Sequence, residues 1–392
     1  MKYDFDHVPD RRPTDSIKWN KYSADVIPLW VADMDFPVAE PILHSIQSRI
    51  THGIYGYPNV HPEPGTVSEL QQVLVERMAQ RYHWQVAPED ILFLPGVIVG
   101  LNLTCQAVGK PGEEVLIQTP VYPPFFQTAC NADMVLQEAM LARDLDGHYE
   151  VDWEAFEAAI TDQTKVFILC NPHNPVGRVF SKDELERMAE ICLRKRVIIC
   201  SDEIHCDLIF KGHRHIPIAS LDKEIAQNTI TLMSPTKTFN IAGLQFSFAI
   251  VQNKELRQKL EQTMRGVVMW VNLIGRNAAL AAYLYGQEWL DQVLAYMELN
   301  RDLLFDYVQT QIPEISMVKP EGTYLAWLDC HKTAIQGNPC KFFLKEARVA
   351  FNDGVTFGKG GNGFVRLNFA CSKEVLYQAL DRVKESISKA GG

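Results

Sequence analysis

The chain has 392 residues, 47% of them hydrophobic, and 38 lysines and arginines set against 48 aspartates and glutamates give it a net charge of −10 at pH 7. That length suits two domains, or one large α/β domain with a smaller one appended, around a sizeable buried interior. The acidic balance, with one compact basic run at Arg194-Lys195-Arg196, argues against nucleic acid or an anionic membrane as partner and leaves small-molecule chemistry.

In chain order, the N-terminal arm up to Pro41 is rich in Pro and Asp, has little periodicity and is expected to pack on other elements. Its first residues, Met1-Lys2-Tyr3-Asp4-Phe5-Asp6, carry acids where a signal peptide has its apolar stretch, so no export is expected. The uncharged run Ile91 to Gly109 resembles a membrane span, but Pro95, Gly96, Gly100, Asn102, Thr104 and Gln106 break it into strand, turn and buried helix. From about residue 90 to 250, β-rich runs alternate with helical patterns: Val115 to Thr119, Lys165 to Cys170, Val197 to Ser201, Thr229 to Met233 and Phe246 to Val251. Such alternation predicts an α/β fold with a mainly parallel central sheet covered by helices. Ser181-Lys182-Asp183-Glu184 is a capping box opening a helix with Leu185, Met188, Ala189 and Cys192 on its apolar face. Past residue 250 come helices around Glu255 to Met269, Asn277 to Tyr285 and Trp289 to Gln311. The chain then closes in a smaller module with strands at Tyr324 to Leu328 and Phe364 to Phe369 and an amphipathic last helix. The division expected is a large domain over 45–285 and a small α/β domain from 1–44 and 286–392. Nine cysteines, an odd number without a Cys-x-x-Cys pair, read as reduced residues of a cytosolic protein.

The candidate chemistry falls at strand ends. Lys237, in Ser234-Pro235-Thr236-Lys237, follows Thr229 to Met233, Asp202 follows Val197 to Ser201, and Asn171-Pro172-His173-Asn174-Pro175-Val176-Gly177-Arg178 follows Lys165 to Cys170. In open parallel sheets the ligand lies off these ends. A lysine amine that can form a Schiff base, opposite a carboxylate that keeps a pyridine nitrogen protonated, is what pyridoxal 5'-phosphate (PLP) requires. Asn174 has an amide to offer a phenolate oxygen. Ser234 to Lys237 also matches Ser-x-x-Lys, but the companion motifs of acyl-transfer enzymes are replaced by Ser201-Asp202-Glu203 and Lys237-Thr238-Phe239, and Pro235 suits a loop better than a helix interior. Gly96-Val97-Ile98 ends a strand and opens a helix whose free N–H groups suit a phosphate, with the Ser234 hydroxyl as a further donor. Arg366, a charge within an apolar strand, is either an exposed edge residue or a buried fork for a substrate carboxylate. Gly358-Lys359-Gly360-Gly361-Asn362-Gly363 satisfies a dinucleotide pattern, yet it precedes a strand instead of a helix and reads as a turn. His213-Arg214-His215 lacks companion ligands and reads as a surface loop, and no metal is expected.

These residues together resemble the aspartate-aminotransferase superfamily of PLP enzymes, fold type I, and within it the MalY/PatB-type cystathionine β-lyases, nearly end to end. The subgroup markers are Leu29-Trp30-Val31-Ala32-Asp33-Met34-Asp35-Phe36-Pro37, Gly56-Tyr57-Pro58, Val121-Tyr122-Pro123-Pro124-Phe125, Ser201-Asp202-Glu203-Ile204-His205-Cys206-Asp207 and Lys237-Thr238-Phe239-Asn240-Ile241-Ala242-Gly243-Leu244. The resemblance implies Lys237 as the Schiff-base lysine, Asp202 on the pyridine nitrogen, Asn174 beside the phenolate oxygen and Tyr122 stacked on the ring. It further implies Val97, Ile98 and Ser234 on the phosphate, with Tyr57 reaching the phosphate of a neighbouring subunit in a homodimer. Arg366, helped by the backbone at Ala32, would bind the substrate carboxylate. The resemblance also counts His205 among the cofactor-binding residues, standing where the wider superfamily has a tyrosine on the phenolate oxygen, and places Gln245 where it has an arginine on the phosphate. The implied activity is α,β-elimination from cystathionine, giving homocysteine, pyruvate and ammonia, a reaction of methionine biosynthesis. Lys237 as an ammonium and Tyr122 are both open as donors to the leaving sulfur. An aminotransferase and a non-catalytic regulatory protein on the same fold are the alternatives.

Overall fold

The computed structural model describes residues 3–57 and 67–391. Pro58 of the Gly56-Tyr57-Pro58 marker lies outside them. Its centre is a seven-stranded sheet built from β1 (Ile91–Leu94), β2 (Glu114–Thr119), β3 (Val135–Met140), β4 (Thr164–Cys170), β5 (Ile198–Asp202), β6 (Thr229–Met233) and β7 (Ser247–Ile250), in the order β1-β7-β6-β5-β4-β2-β3. Strands with both faces covered by helices are buried on both sides, and β6, Thr-Ile-Thr-Leu-Met, is buried at all five positions. The five runs anticipated from sequence lie within a residue of these strands at each end. The edge strand β3 was not anticipated, because Val-Leu-Gln-Glu-Ala-Met has neither alternation nor a continuous apolar run and is mostly half-exposed. β7 alone among these strands runs antiparallel to both its neighbours. It follows β6 after only a short helix and a turn, and so short a return leaves no room for the crossover a parallel strand needs.

Successive strands from β4 to β7 step one way across the sheet, whereas β2 to β3 steps the other. The order therefore reverses between β2 and β4, and the crevice at the carboxyl end of that junction is where ligands enter such sheets.

A second, antiparallel sheet of three strands lies in the C-terminal module: β8 (Leu325–Asp329), β9 (Asn352–Asp353) and β10 (Phe364–Asn368), in the order β8-β10-β9. The last helix, Lys373–Gly391, buries Leu376, Ala379, Leu380, Val383 and Ile387 on one side. Each of the larger four contributes roughly 1.5–3 kcal/mol by leaving water. The N-terminal arm joins this module, with Ile27 and Pro28 pairing in parallel with Val349 and Ala350, and the Asn368 amide donating to the Leu29 carbonyl at 2.9 Å. One hydrophobic cluster unites Phe5, Leu29, Phe36, Trp289, Leu325, Leu367 and Leu376. Helix Glu40–His52 crosses the boundary expected at residue 44. The helix expected to reach Met269 is Lys254–Met264, stopped by Arg265-Gly266, where Gly266 takes φ +77°.

Candidate active site

The three strand-end motifs are neighbours because β4, β5 and β6 are: Cys170 pairs with Asp202, and Asp202 with Leu232. Strands at that spacing, about 4.8 Å apart, set side chains just beyond their ends around one crevice. Lys237 sits one helical turn past β6 in Pro235–Thr238. Its half-buried amine donates to the Ala32 carbonyl at 2.6 Å, and no carboxylate lies within 4.0 Å of it among the described residues. Stripped of water there, Lys237 is pulled down from 10.5 to about 8, with Arg366 lowering it further and Asp33 and Asp202 opposing.

Asp202 is 4% exposed and accepts the Ile204 amide at 3.1 Å. Burial pushes its carboxyl from 3.8 up to about 7, more than the Ile204 amide and Lys237 pull it down. An acid held in this way has the greatest use for a cation placed opposite it. His205, 3% exposed, is driven down to about 3 by burial and by Lys237 and Arg366, so it is a neutral ring, and its Nδ1 has no hydrogen-bond partner among the described residues. Tyr122 follows β2 on the far side of the strand-order reversal, and burial raises its phenol pKa.

Arg366 lies mid-strand in β10, opposite Trp327 of β8, and is 2% exposed, so it is buried rather than an edge residue. Its Nη1 donates to Asn174 Oδ1 at 2.9 Å and its Nη2 to the Trp30 carbonyl at 3.0 Å, while Nε finds no partner among the described residues. The guanidinium stands 5.0 Å from the centre of the Phe357 ring. Burial brings Arg366 down to about 10, which still leaves it charged at neutral pH. A buried cation whose neighbours are neutral dipoles favours an incoming carboxylate. Asn174, 4% exposed, spends its Oδ1 on Arg366, which leaves its NH2 for another acceptor. The loop carrying it is held against the C-terminal module at Gly177, where φ is +76° and a Cβ would stand 2.8 Å from Pro320.

Gly96 heads helix Val97–Val108 without a side-chain cap, so the first amides, including those of buried Val97 and exposed Ile98, are free for an anion. Ser234 is a different matter. Its hydroxyl contacts the Phe246 carbonyl and the Thr236 hydroxyl, each at 2.6 Å, and accepts the Thr236 amide, so it caps the helix bearing Lys237 and has little left for a phosphate. Tyr57 does not join the cluster within one chain: it is 85% exposed and packs on Trp270 at 4.9 Å between ring centres. His215, read as part of a surface loop, is 3% exposed and bonds Glu203 Oε2 at 2.7 Å, since a buried carboxylate needs a partner; only His213 of that pair is well exposed.

Sequence reasoning missed Tyr324. It begins the run read as a strand, and nothing in the sequence indicates that its hydroxyl meets the Ala32 carbonyl at 3.0 Å, beside Lys237. Asp207 was quoted only as a marker, yet it is buried and bonds Arg77, Arg81 and Tyr82 while facing Thr238, next to the lysine. A groove of about 1060 Å³ lies elsewhere, between Asp4, Asp6, Tyr296, Tyr307, Lys373 and Tyr377, and contains none of the residues that converge on Lys237.

Cystathionine beta-lyase PatB of Bacillus subtilis (strain 168) is 38% identical over 393 aligned residues, spanning 98% of this chain and the whole of that protein. A PLP-bound protein of Clostridium difficile 630, provisionally named an aminotransferase, superposes with a TM-score of 0.94 at 38% identity, covering 98% of this chain and 100% of its own. The PLP-bound C-S lyase from Staphylococcus hominis does so with a TM-score of 0.91 at 33% identity, covering 99% and 98%. The model of the aminotransferase class I and II family matches residues 24–383. The chain has the fold of the PLP enzymes of type I, and it belongs to the aminotransferase class I and II family.

Proposed function

We propose that the protein is a PLP-dependent carbon-sulfur β-lyase that cleaves L-cystathionine, and by the same chemistry cysteine or other S-substituted cysteines, to a thiol, pyruvate and ammonia. The observation that carries this reading is the amine of Lys237, drawn into the crevice without a carboxylate and lowered to about 8, in a chain 38% identical along its length to a protein named cystathionine beta-lyase.

The residues present fit PLP: unclaimed amides at Val97 and Ile98 for its phosphate, the buried acid Asp202 for its ring nitrogen, the Asn174 amide for its phenolate oxygen, and Tyr122 for its face. Bound there, PLP supplies an electron sink for negative charge at the substrate Cα. Arg366, assisted by the backbone at Ala32, fixes the substrate carboxylate and so turns the Cα–H bond toward Lys237. The Lys237 amine takes the Cα proton. The Cβ–S bond breaks with its electron pair on sulfur, and the resulting ammonium of Lys237 or the phenol of Tyr122 returns a proton to that sulfur. The three-carbon enamine left behind takes up water, yielding pyruvate and ammonia.

An aminotransferase would use the same lysine, acid and arginine, and the family model and the Clostridium difficile protein favour that second reading. Purified protein incubated with PLP and L-cystathionine separates the two. Pyruvate and ammonia released without a 2-oxo acid support the lyase, whereas turnover that requires a 2-oxo acid supports transfer.

The working unit in this proposal is a homodimer. Ile54, Tyr57, Val267, Met269 and Trp270 are exposed apolar residues from two segments that meet at the Tyr57–Trp270 contact, and a second copy laid over them would bring Tyr57 to the neighbouring site. On this reading the chain divides into a large domain over 45–285 and a small one from 1–44 with 286–392, helix Glu40–His52 passing from the small to the large. Nine unpaired cysteines fit a reducing cytoplasm, and homocysteine as the product of cystathionine cleavage would place the reaction in methionine biosynthesis.

A further inference from the structure

The arm over the site is held at five successive carbonyls. Trp30 accepts from Arg366, Val31 and Asp33 from Asn368, Asp33 also from Lys18, and Met34 from Arg11 and Asn240. The Ala32 oxygen likewise takes two donors, Lys237 Nζ at 2.6 Å and the Tyr324 hydroxyl at 3.0 Å. With its neighbours pinned on both sides, the Ala32 carbonyl does not need Tyr324 to stay in place. Tyr324 is itself 1% exposed, with its ring edge-on to His205 at 5.8 Å, so its hydroxyl is directed by packing and not by chance rotation.

We propose that Tyr324 is a positioning residue that governs the proton affinity of Lys237 by competing with it for the Ala32 carbonyl. This rests on the reading of Lys237 as the lysine that carries the cofactor and acts as base. A carbonyl oxygen that already accepts one proton donor is a poorer acceptor for a second, so the phenol weakens the bond that would otherwise stabilise an ammonium on Lys237. Of the other groups facing the amine, Asp33 and Asp202 favour the ammonium, Arg366 disfavours it and the His205 ring is neutral; the Asp202 carboxyl, raised to about 7, is the same in wild type and variant and so does not affect the comparison between them. The phenol itself is buried, which raises its pKa and keeps its proton available to the carbonyl. The consequence is an amine that stays unprotonated, and therefore a base, closer to neutral pH.

The test uses the full-length chain freed of PLP, with acetic anhydride as probe and peptide mass spectrometry to read acylation at Lys237 between about pH 6 and 10. Tyr324→Phe keeps the ring against His205 and removes only the competing donor. Its Lys237 midpoint should rise by about half a unit, making acylation near the wild-type midpoint about twofold slower. Tyr122→Phe, a nearby phenol that makes no bond to Ala32, should leave the midpoint in place. With PLP and L-cystathionine, Tyr324→Phe should lower kcat about threefold or more with KM within about twofold. A midpoint that is unchanged or lowered in Tyr324→Phe, or moved equally by Tyr122→Phe, overturns the proposal, as does a rise in KM at constant kcat. Borohydride reduction of the wild type with PLP tells the two failures apart: a label elsewhere than on Lys237 removes the functional reading while leaving the titration result standing.

Discussion

Lys18 and Lys237 are both drawn in against the same arm, residues 30–35, and they are treated in opposite ways. Lys18 is fully buried, and its amine meets Asp35 Oδ2 at 2.9 Å, the Asp33 carbonyl at 3.2 Å and Asp33 Oδ1 at 3.7 Å. Asp35 is shared with Arg11 and the Trp19 indole, so that charge cluster is closed on itself and fastens the arm. Lys237 bonds a carbonyl and has no carboxylate within 4.0 Å among the described residues. A cation enclosed with its counter-ion is structure; an amine held among dipoles, with an acid nearby that is itself unpaired, costs stability and is kept for chemistry.

The sharpest way to break the comparison is to remove each amine's role in turn. Lys237→Ala should cut pyruvate release from L-cystathionine about 10⁴-fold or more while leaving the thermal midpoint of the cofactor-free chain unchanged or higher, since no ion pair is lost. On the Lys18 side, Asp35→Ala strands a buried ammonium and should cost about 3–5 kcal/mol in urea unfolding. If it costs nothing, the cluster is not what fastens the arm. Arg366→Lys keeps the charge but loses the two-pronged grip, and should lower kcat/KM about 100-fold, chiefly through KM. An equal loss in a substrate analogue lacking the carboxylate would refute that role.

The smallest effect is one of pH, and its sign follows from the two shifts. Asp202 has a folded pKa raised from 3.8 to about 7, so the folded chain holds its proton longer and stability from this group falls as pH rises through that window. Lys237 has a folded pKa lowered from 10.5 to about 8, so stability from it increases between those values and the penalty is complete below 8. Without cofactor, Asp202→Asn should therefore be about 1–2 kcal/mol more stable than wild type near pH 8, with the gap closing toward pH 4. Added PLP should reverse the order, because a cation opposite the aspartate then rewards its charge. A gap that is independent of pH would show that Asp202 is not strained in the way described.

Much of this was legible in the chain itself. Runs such as Lys165 to Cys170 and Thr229 to Met233 are rich in β-branched and apolar residues because both faces of a parallel strand are covered, and the capping box at Ser181 fixes a helix start from four adjacent residues. Lys237, Asp202 and Asn174 stand out in the sequence because each follows a strand, and strand ends in such sheets share an edge. These are local signals, carried by residues close in sequence. Whether Arg366 was buried, where the Ser234 hydroxyl pointed, and that His215 had turned inward to Glu203 depended on partners distant in the chain, and no periodicity records those. The meeting of Tyr324 and Lys237 at the Ala32 carbonyl joins residues 292 and 205 positions away from Ala32 in the chain. Sequence set which residues could do chemistry, because residue type and strand position are written locally; the fold alone decided which donor faces which oxygen, because a hydrogen bond is made over about 3 Å of space irrespective of the length of chain between its ends.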